Sequence, residues 1–118
     1  MSQSFGPGDD LVFQLESGYG LLRVLAVEGA GSDAVWHLLA YDEFFPTVEA
    51  AEAALANAED LAVRNPHIAL TNRAFQRTPA AKLINRPVSE AELDEYKLWR
   101  QSSGEVSDRS ALLMLGIR

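Results

Sequence analysis

Apolar and polar residues alternate along the chain between residues 11 and 16. Because side chains alternate along a strand, Leu11, Phe13 and Leu15 share one face and Val12 lies on the other. A turn of sequence Ser-Gly-Tyr-Gly follows at 17–20, and a second apolar run spans 21–27. The pattern predicts a β-hairpin with one face in the core.

The next segments predict a third strand, a helix and a fourth strand. A turn cluster at 29–33 precedes the apolar run 34–41, which completes a meander of three strands. Apolar residues at helical spacing after a possible N-cap at Thr47 predict the first helix over about 48–61. Asn65 and Pro66 are expected to end it. A short strand is predicted at 67–71, then a helical turn and an extended piece around 82–84.

The C-terminal part predicts one further helix. Ser89-Glu90-Ala91-Glu92 matches a capping box, so a helix is expected from Ser89 to about Ser102. Gly104 is then the expected left-handed residue after the helix. The apolar tail 108–117 is compatible with a short helix or an edge strand, and periodicity does not separate the two.

Size and composition bound the class of protein. The chain has 118 residues, 47% of them hydrophobic, and no cysteine. We expect a single α+β domain over residues 1–118 with its own core. The absence of cysteine excludes thiolate zinc sites, iron–sulfur clusters and cysteine nucleophiles. No basic-then-apolar start and no apolar run of 18 residues occurs, so we expect a soluble cytoplasmic protein without membrane contact.

Charge is segregated along the chain. Residues 1–63 carry a net charge of −10 with Arg23 as their one base, residues 64–86 carry +5 with no acid, and residues 87–118 carry −2. The overall charge of −7 argues against a nucleic-acid partner. The basic segment 64–86 either packs against the acidic half of the same chain or forms an interaction surface, and the sequence leaves both open.

The sequence contains no convincing catalytic or metal-binding motif. Residues 29–34 fit a loose dinucleotide-binding pattern, but a strand follows where that motif needs a helix, so a hairpin loop is the better interpretation. His37 and His67 lack metal-ligand spacing and are interpreted as ordinary structural or surface histidines. The adjacent acids at 9–10, 42–43 and 59–60 are expected to be solvated. We therefore expect no catalytic residue, no metal and no cofactor.

Candidate binding residues lie where the third strand leads into the first helix. The sequence Tyr-Asp-Glu-Phe-Phe-Pro at 41–46 combines aromatic rings with acids, a mixture suited to contact with a basic protein. The opposing interpretation is that the two phenylalanines close the end of the core. The predicted partner-binding residues are Tyr19, Asp42, Glu43, Phe44 and Phe45.

The hairpin also carries a resemblance to a known family. The runs Gly-Asp-Asp-Leu-Val-Phe-Gln-Leu at 8–15 and Gly-Tyr-Gly-Leu-Leu-Arg-Val-Leu at 18–25, with the strand into Tyr41 and Asp42, resemble the Immunity protein 26 family of bacterial polymorphic toxin systems. The resemblance implies an SH3-like, strongly bent β-barrel carrying two or three helices. It also implies a non-enzymatic role in binding and neutralising a toxin.

The charge pattern, the aromatic residues and the resemblance leave three candidate functions. The first is a non-catalytic protein-interaction module, in its specific form an immunity protein with a basic partner. The second is a nucleic-acid-binding small barrel that uses Arg73, Phe75, Arg77, Lys82 and Arg86. The third is a small enzyme acting through Asp42, Glu43 and a histidine, and it lacks a recognisable constellation of base, orienting group and stabiliser. Oligomeric state stays open.

Overall fold

The computed structural model describes residues 5–102 and 104–109. They form five strands, namely β1 (Asp9–Leu15), β2 (Gly18–Glu28), β3 (Val35–Tyr41), β4 (Val63–Thr71) and β5 (Ala80–Asn85). The strands make one antiparallel sheet in the order β4-β3-β2-β1-β5. The predicted hairpin and the third strand are confirmed.

The sheet is open. β4 and β5 lie at its opposite edges, and no pairing joins them among the described strands. Register shifts interrupt the β1–β5, β2–β3 and β3–β4 ladders, and such bulges bend the strands that contain them. The α+β class is confirmed, whereas the expected closure into an SH3-like barrel is not.

Three α-helices accompany the sheet: α1 (Val48–Ala54), α2 (Asn72–Gln76) and α3 (Asp94–Gln101). Thr47 caps α1 as predicted, since its hydroxyl accepts a hydrogen bond from the amide of Ala50. The helix is shorter than predicted. It passes into a 3-10 segment, Leu55–Asp60, that is kinked at Asn57. Among the described residues, no helix is both long enough and apolar enough to span a bilayer.

Two predicted boundaries are wrong. β4 begins at Val63 rather than at residue 67 and contains Pro66, which lacks an amide hydrogen and is tolerated because β4 lies at a sheet edge. The capping box at Ser89 and Glu92 forms as predicted, but it closes a turn, and α3 starts only at Asp94. Gly104 is left-handed with φ of +63°. The predicted tail 108–117 lies outside the described residues except for 108 and 109.

Both faces of the sheet are buried, which corrects the expectation of one core face. The first face holds Leu11, Phe13 and Leu15, with Phe75 of α2 packed on it. Val12 on the second face is equally buried, among side chains from α1 and the kinked segment. A second core forms there because α1 and the segment around residues 83–93 cover this face.

The second face also contains the buried charged and imidazole groups. Asp10 and His37 are fully buried, and so is Arg23, the one base of the acidic half. Asp9 is 3% exposed. The expectation that the acids at 9–10 are solvated is therefore wrong, because β5 and the chain after it cover this end of the sheet.

Candidate functional site

The predicted binding loop is fixed to the start of β2. The amide of Tyr19 donates to the carbonyl of Phe45 at 2.8 Å, and the amide of Phe45 donates back to Tyr19 at 2.8 Å. A side chain at Gly18 would place its Cβ 2.5 Å from the Phe45 carbonyl oxygen, so this close approach requires glycine. The loop is thus held in one conformation by the backbone.

Adjacent phenylalanines in this loop have opposite environments. Phe45 is half-buried and packs against the second core, as does Tyr19. Phe44 is 45% exposed, with the guanidinium of Arg64 5.7 Å from its ring centroid. Arg64 also donates to Asp42 at 3.3 Å. Packing therefore accounts for Phe45, while Phe44 presents its ring to the exterior.

Acidic side chains surround Phe44 in sequence. Residues 42–60 hold six acids and no base, and every one of the six is exposed: Asp42, Glu43, Glu49, Glu52, Glu59 and Asp60. Within the described part of the chain, Asp42 is the only one of the six that pairs with a base. We call residues 42–60 with Tyr19 the acidic aromatic surface.

The residues proposed for nucleic-acid binding are placed very differently. Phe75 is buried and stacks on Trp36 with the ring centroids 4.2 Å apart, so its ring is covered. Arg73 pairs with Asp108, and Arg77 donates to the Asp108 carbonyl.

The remaining bases of segment 64–86 pair with the acidic half, as one alternative for this segment predicts. Lys82 lies 3.8 Å from Asp9, and Arg86 donates to Asp10 at 2.6 Å and 3.0 Å. With the Arg64–Asp42 pair, three of the five bases are used within the chain against that half. The positive charges of these three bases are therefore largely neutralised by the acids with which they pair.

A buried network centred on Arg23 of β2 links β1, the chain directly after β5 and the turn before α3. Arg23 donates to both carboxylate oxygens of Glu92, to Asp10, and to the carbonyls of Gly8, Arg86 and Pro87. Burial raises the pKa of Glu92, but the hydrogen bonds from Arg23 and Ser89, together with the charge of Arg23, outweigh it, so the pKa lies below its usual value. Because every N–H of the guanidinium is engaged, the role of Arg23 is structural.

The two histidines, which no sequence pattern brings together, are in contact. Nδ1 of His37 lies 2.9 Å from Nε2 of His67, and Nε2 of His37 lies 2.8 Å from a carboxylate oxygen of Glu28. The hydroxyl of Tyr96 donates to the other oxygen of Glu28. Sequence reasoning missed this chain because the histidines are 30 residues apart, and the one available signal was their location on neighbouring strands.

Hydrogen bonding fixes the protonation of both imidazoles. A carboxylate can only accept, so Nε2 of His37 carries a hydrogen, and in the neutral ring Nδ1 then accepts from Nε2–H of His67. Burial lowers the pKa of His67 to about 4, and the neighbouring His37 contributes to that shift. Burial also lowers the pKa of His37, although Glu28 partly offsets it. Both rings are therefore neutral near pH 7.

This arrangement predicts a loss of stability on mild acidification. A histidine whose folded pKa lies below its unfolded value takes up protons preferentially on unfolding, so stability falls as pH drops from about 7 to about 5. Chemical denaturation at both pH values measures the change. His67→Gln should show a smaller loss than the unaltered chain. Equal losses in the two proteins, or none, would exclude this role for His67.

The third function considered from sequence, an enzyme using Asp42, Glu43 and a histidine, finds no assembled site. Over the described residues neither acid hydrogen-bonds a histidine, and the acidic partner of His37 is Glu28 instead. No group of three acidic or histidine side chains there is arranged to hold a metal ion.

Comparisons with protein-family models, with curated protein sequences and with solved structures found no match to this chain. The interpretation of the surface therefore depends on its own geometry.

Proposed function

We propose that the protein is a non-catalytic protein-interaction module that binds a basic partner through the acidic aromatic surface. One observation carries the proposal. Phe44 lies outside the core in a loop that the backbone bonds of Phe45 hold in place, and the six carboxylates of this segment are all exposed. An exposed aromatic ring provides contact area at low entropic cost, and surrounding acids steer a basic partner towards it.

The fixed backbone of the loop supports this function. Ordering a flexible loop on binding costs free energy that a preformed loop avoids. The reciprocal hydrogen bonds between Tyr19 and Phe45, and the Thr47 cap of α1, hold the chain directly after Phe44. Phe44 is therefore presented in place before any partner arrives.

The specific form of the proposal is an immunity protein that neutralises a bacterial toxin. It rests on the resemblance of residues 8–25 and of the strand into Asp42 to the Immunity protein 26 family. The bulges of the five-stranded antiparallel sheet support the strand bending that the resemblance implies, although the sheet is open and not a closed barrel. An acidic surface suits a toxin that is basic, as an enzyme acting on nucleic acid would be.

Affinity capture from the native host tests the proposal. The immobilised full chain should retain a specific basic protein that is released as salt is raised, because surface charge pairs are screened. The Phe44→Ala variant should retain much less of it, whereas Leu98→Ala, which removes a similarly exposed apolar side chain from α3, should retain as much. Recovery of no specific protein, or equal recovery by Phe44→Ala, would contradict the proposal.

The immunity form makes a further demand on the captured protein. Expressed alone it should arrest growth of a bacterial host, and co-expression of this chain should restore growth. A captured partner that is harmless would leave a protein-interaction module with another role. A gel-retardation assay with DNA and RNA at low salt completes the comparison, because a nucleic-acid-binding protein would retard them under those conditions.

A further inference from the structure

A cavity of about 440 Å³ opens beside the edge strand β4, and its lining includes no residue of the acidic aromatic surface. The segment 105–109 forms one wall, since Ser107 pairs with β4 through its amide to Ala69 and its carbonyl to Thr71. Trp99 of α3 forms another, with its indole N–H bonded to the carbonyl of Glu105. His67 lies in the lining as the end of the Glu28–His37–His67 chain.

Within the cavity His67 can accept a hydrogen bond but not donate one. Its Nε2–H is committed to His37, which is itself fixed by the carboxylate of Glu28. Nδ1 therefore keeps its lone pair, and no described residue donates to it. A half-buried imidazole whose tautomer is set by His37, and through it by Glu28, serves as a preset hydrogen-bond acceptor.

The other polar groups of the lining offer donors. The side-chain oxygen of Asn65 accepts from the amide of His67, which leaves the amide NH₂ of Asn65 to donate. Ser107 Oγ accepts from the amide of Arg109, which leaves its hydroxyl hydrogen. Arg109 adds a positive charge. The one acid of the lining, Glu105, is exposed and bonds Trp99 through its backbone.

We propose that this cavity binds a small oxyanion that still carries an O–H group, of the hydrogen phosphate or phosphate monoester class. Arg109, Asn65 and Ser107 bind its oxygens, and Nδ1 of His67 accepts its hydrogen. An oxyanion without hydrogen leaves the lone pair of His67 facing a negative oxygen, which is unfavourable. Discrimination therefore depends on the proton rather than on the charge of the anion.

Calorimetric titrations of the full chain with inorganic phosphate and with sulfate test this directly. Near pH 6 phosphate is protonated, sulfate is not, and His67 is still neutral because its pKa is about 4. We expect phosphate to bind about tenfold more tightly than sulfate, the effect of one hydrogen bond to a charged group. Phenyl phosphate serves as the third ligand, and binding tighter than that of inorganic phosphate assigns the site to monoesters.

Two variants locate the binding. Arg109→Gln should weaken the binding of both anions, and His67→Gln should weaken the binding of phosphate without weakening that of sulfate. Nitrogen NMR of the unaltered chain gives a test that does not depend on the variants folding: Nδ1 of His67 should be unprotonated and should shift on addition of phosphate. No phosphate binding, equal affinity for sulfate, or a protonated Nδ1 would overturn the proposal. None of these results bears on the acidic aromatic surface.

Discussion

Replacing Arg23 by leucine should destabilise the protein by about 3 to 5 kcal/mol, the usual effect of removing one partner from a buried ion pair. The guanidinium is fully buried, so the substitution leaves the carboxylate of Asp10 buried with Arg86 as its remaining base. It also leaves the carbonyls of Gly8, Arg86 and Pro87 without this donor. The total free energy of unfolding of a domain of this size is about 5 to 15 kcal/mol.

The free energy of unfolding from denaturant titration measures the effect. Arg73→Leu is the matched control, because Arg73 also pairs with an aspartate but is exposed, and it should leave the unfolding midpoint unchanged. A loss below about 1 kcal/mol for Arg23→Leu would show that the network does not hold the second face of the sheet together.

Replacing Phe44 by alanine should weaken binding to the captured partner by about 30-fold or more, the effect expected of an aromatic hot-spot residue. Phe44 belongs to neither core, so the free energy of unfolding should stay within about 0.5 kcal/mol of the unaltered value. A loss of affinity without a loss of stability is the signature of a contact residue.

Calorimetry with the purified partner measures the affinity, and Leu98→Ala provides the control. Leu98 is 56% exposed on α3, outside the acidic aromatic surface, and its substitution should leave the affinity within about twofold. An unchanged affinity for Phe44→Ala would place the binding residues elsewhere.

Features encoded by local sequence were predictable. Alternation and turn residues define the β1–β2 hairpin, and its register places Asp10 opposite Arg23. The caps at Thr47 and Ser89 follow from hydrogen bonds between residues three positions apart. Both depend on short-range geometry that the sequence displays directly.

Features that depend on distant contacts were not predictable. Phe44 and Phe45 are equivalent in the sequence, and the pairing of Phe45 with Tyr19, 26 residues earlier, decides which ring is covered. The burial of Arg23 depends on its pairing with Glu92, which lies 69 residues later in the chain, after β5.

The histidine pair required the register of β3 on β4, which is shifted between Leu38 and Ala40. The sheet does not close into the expected barrel. Closure depends on which edge strands meet, and the local bending of the strands does not determine that.

Chemical-shift mapping of the full chain with its captured partner tests the binding surface most directly. Backbone amide signals of nitrogen-labelled protein are recorded with and without the unlabelled partner. We predict that the largest changes fall on Tyr19 and residues 42–60. Changes concentrated in residues 64–86 or around the cavity beside β4, with 42–60 unaffected, would contradict the proposed interaction surface.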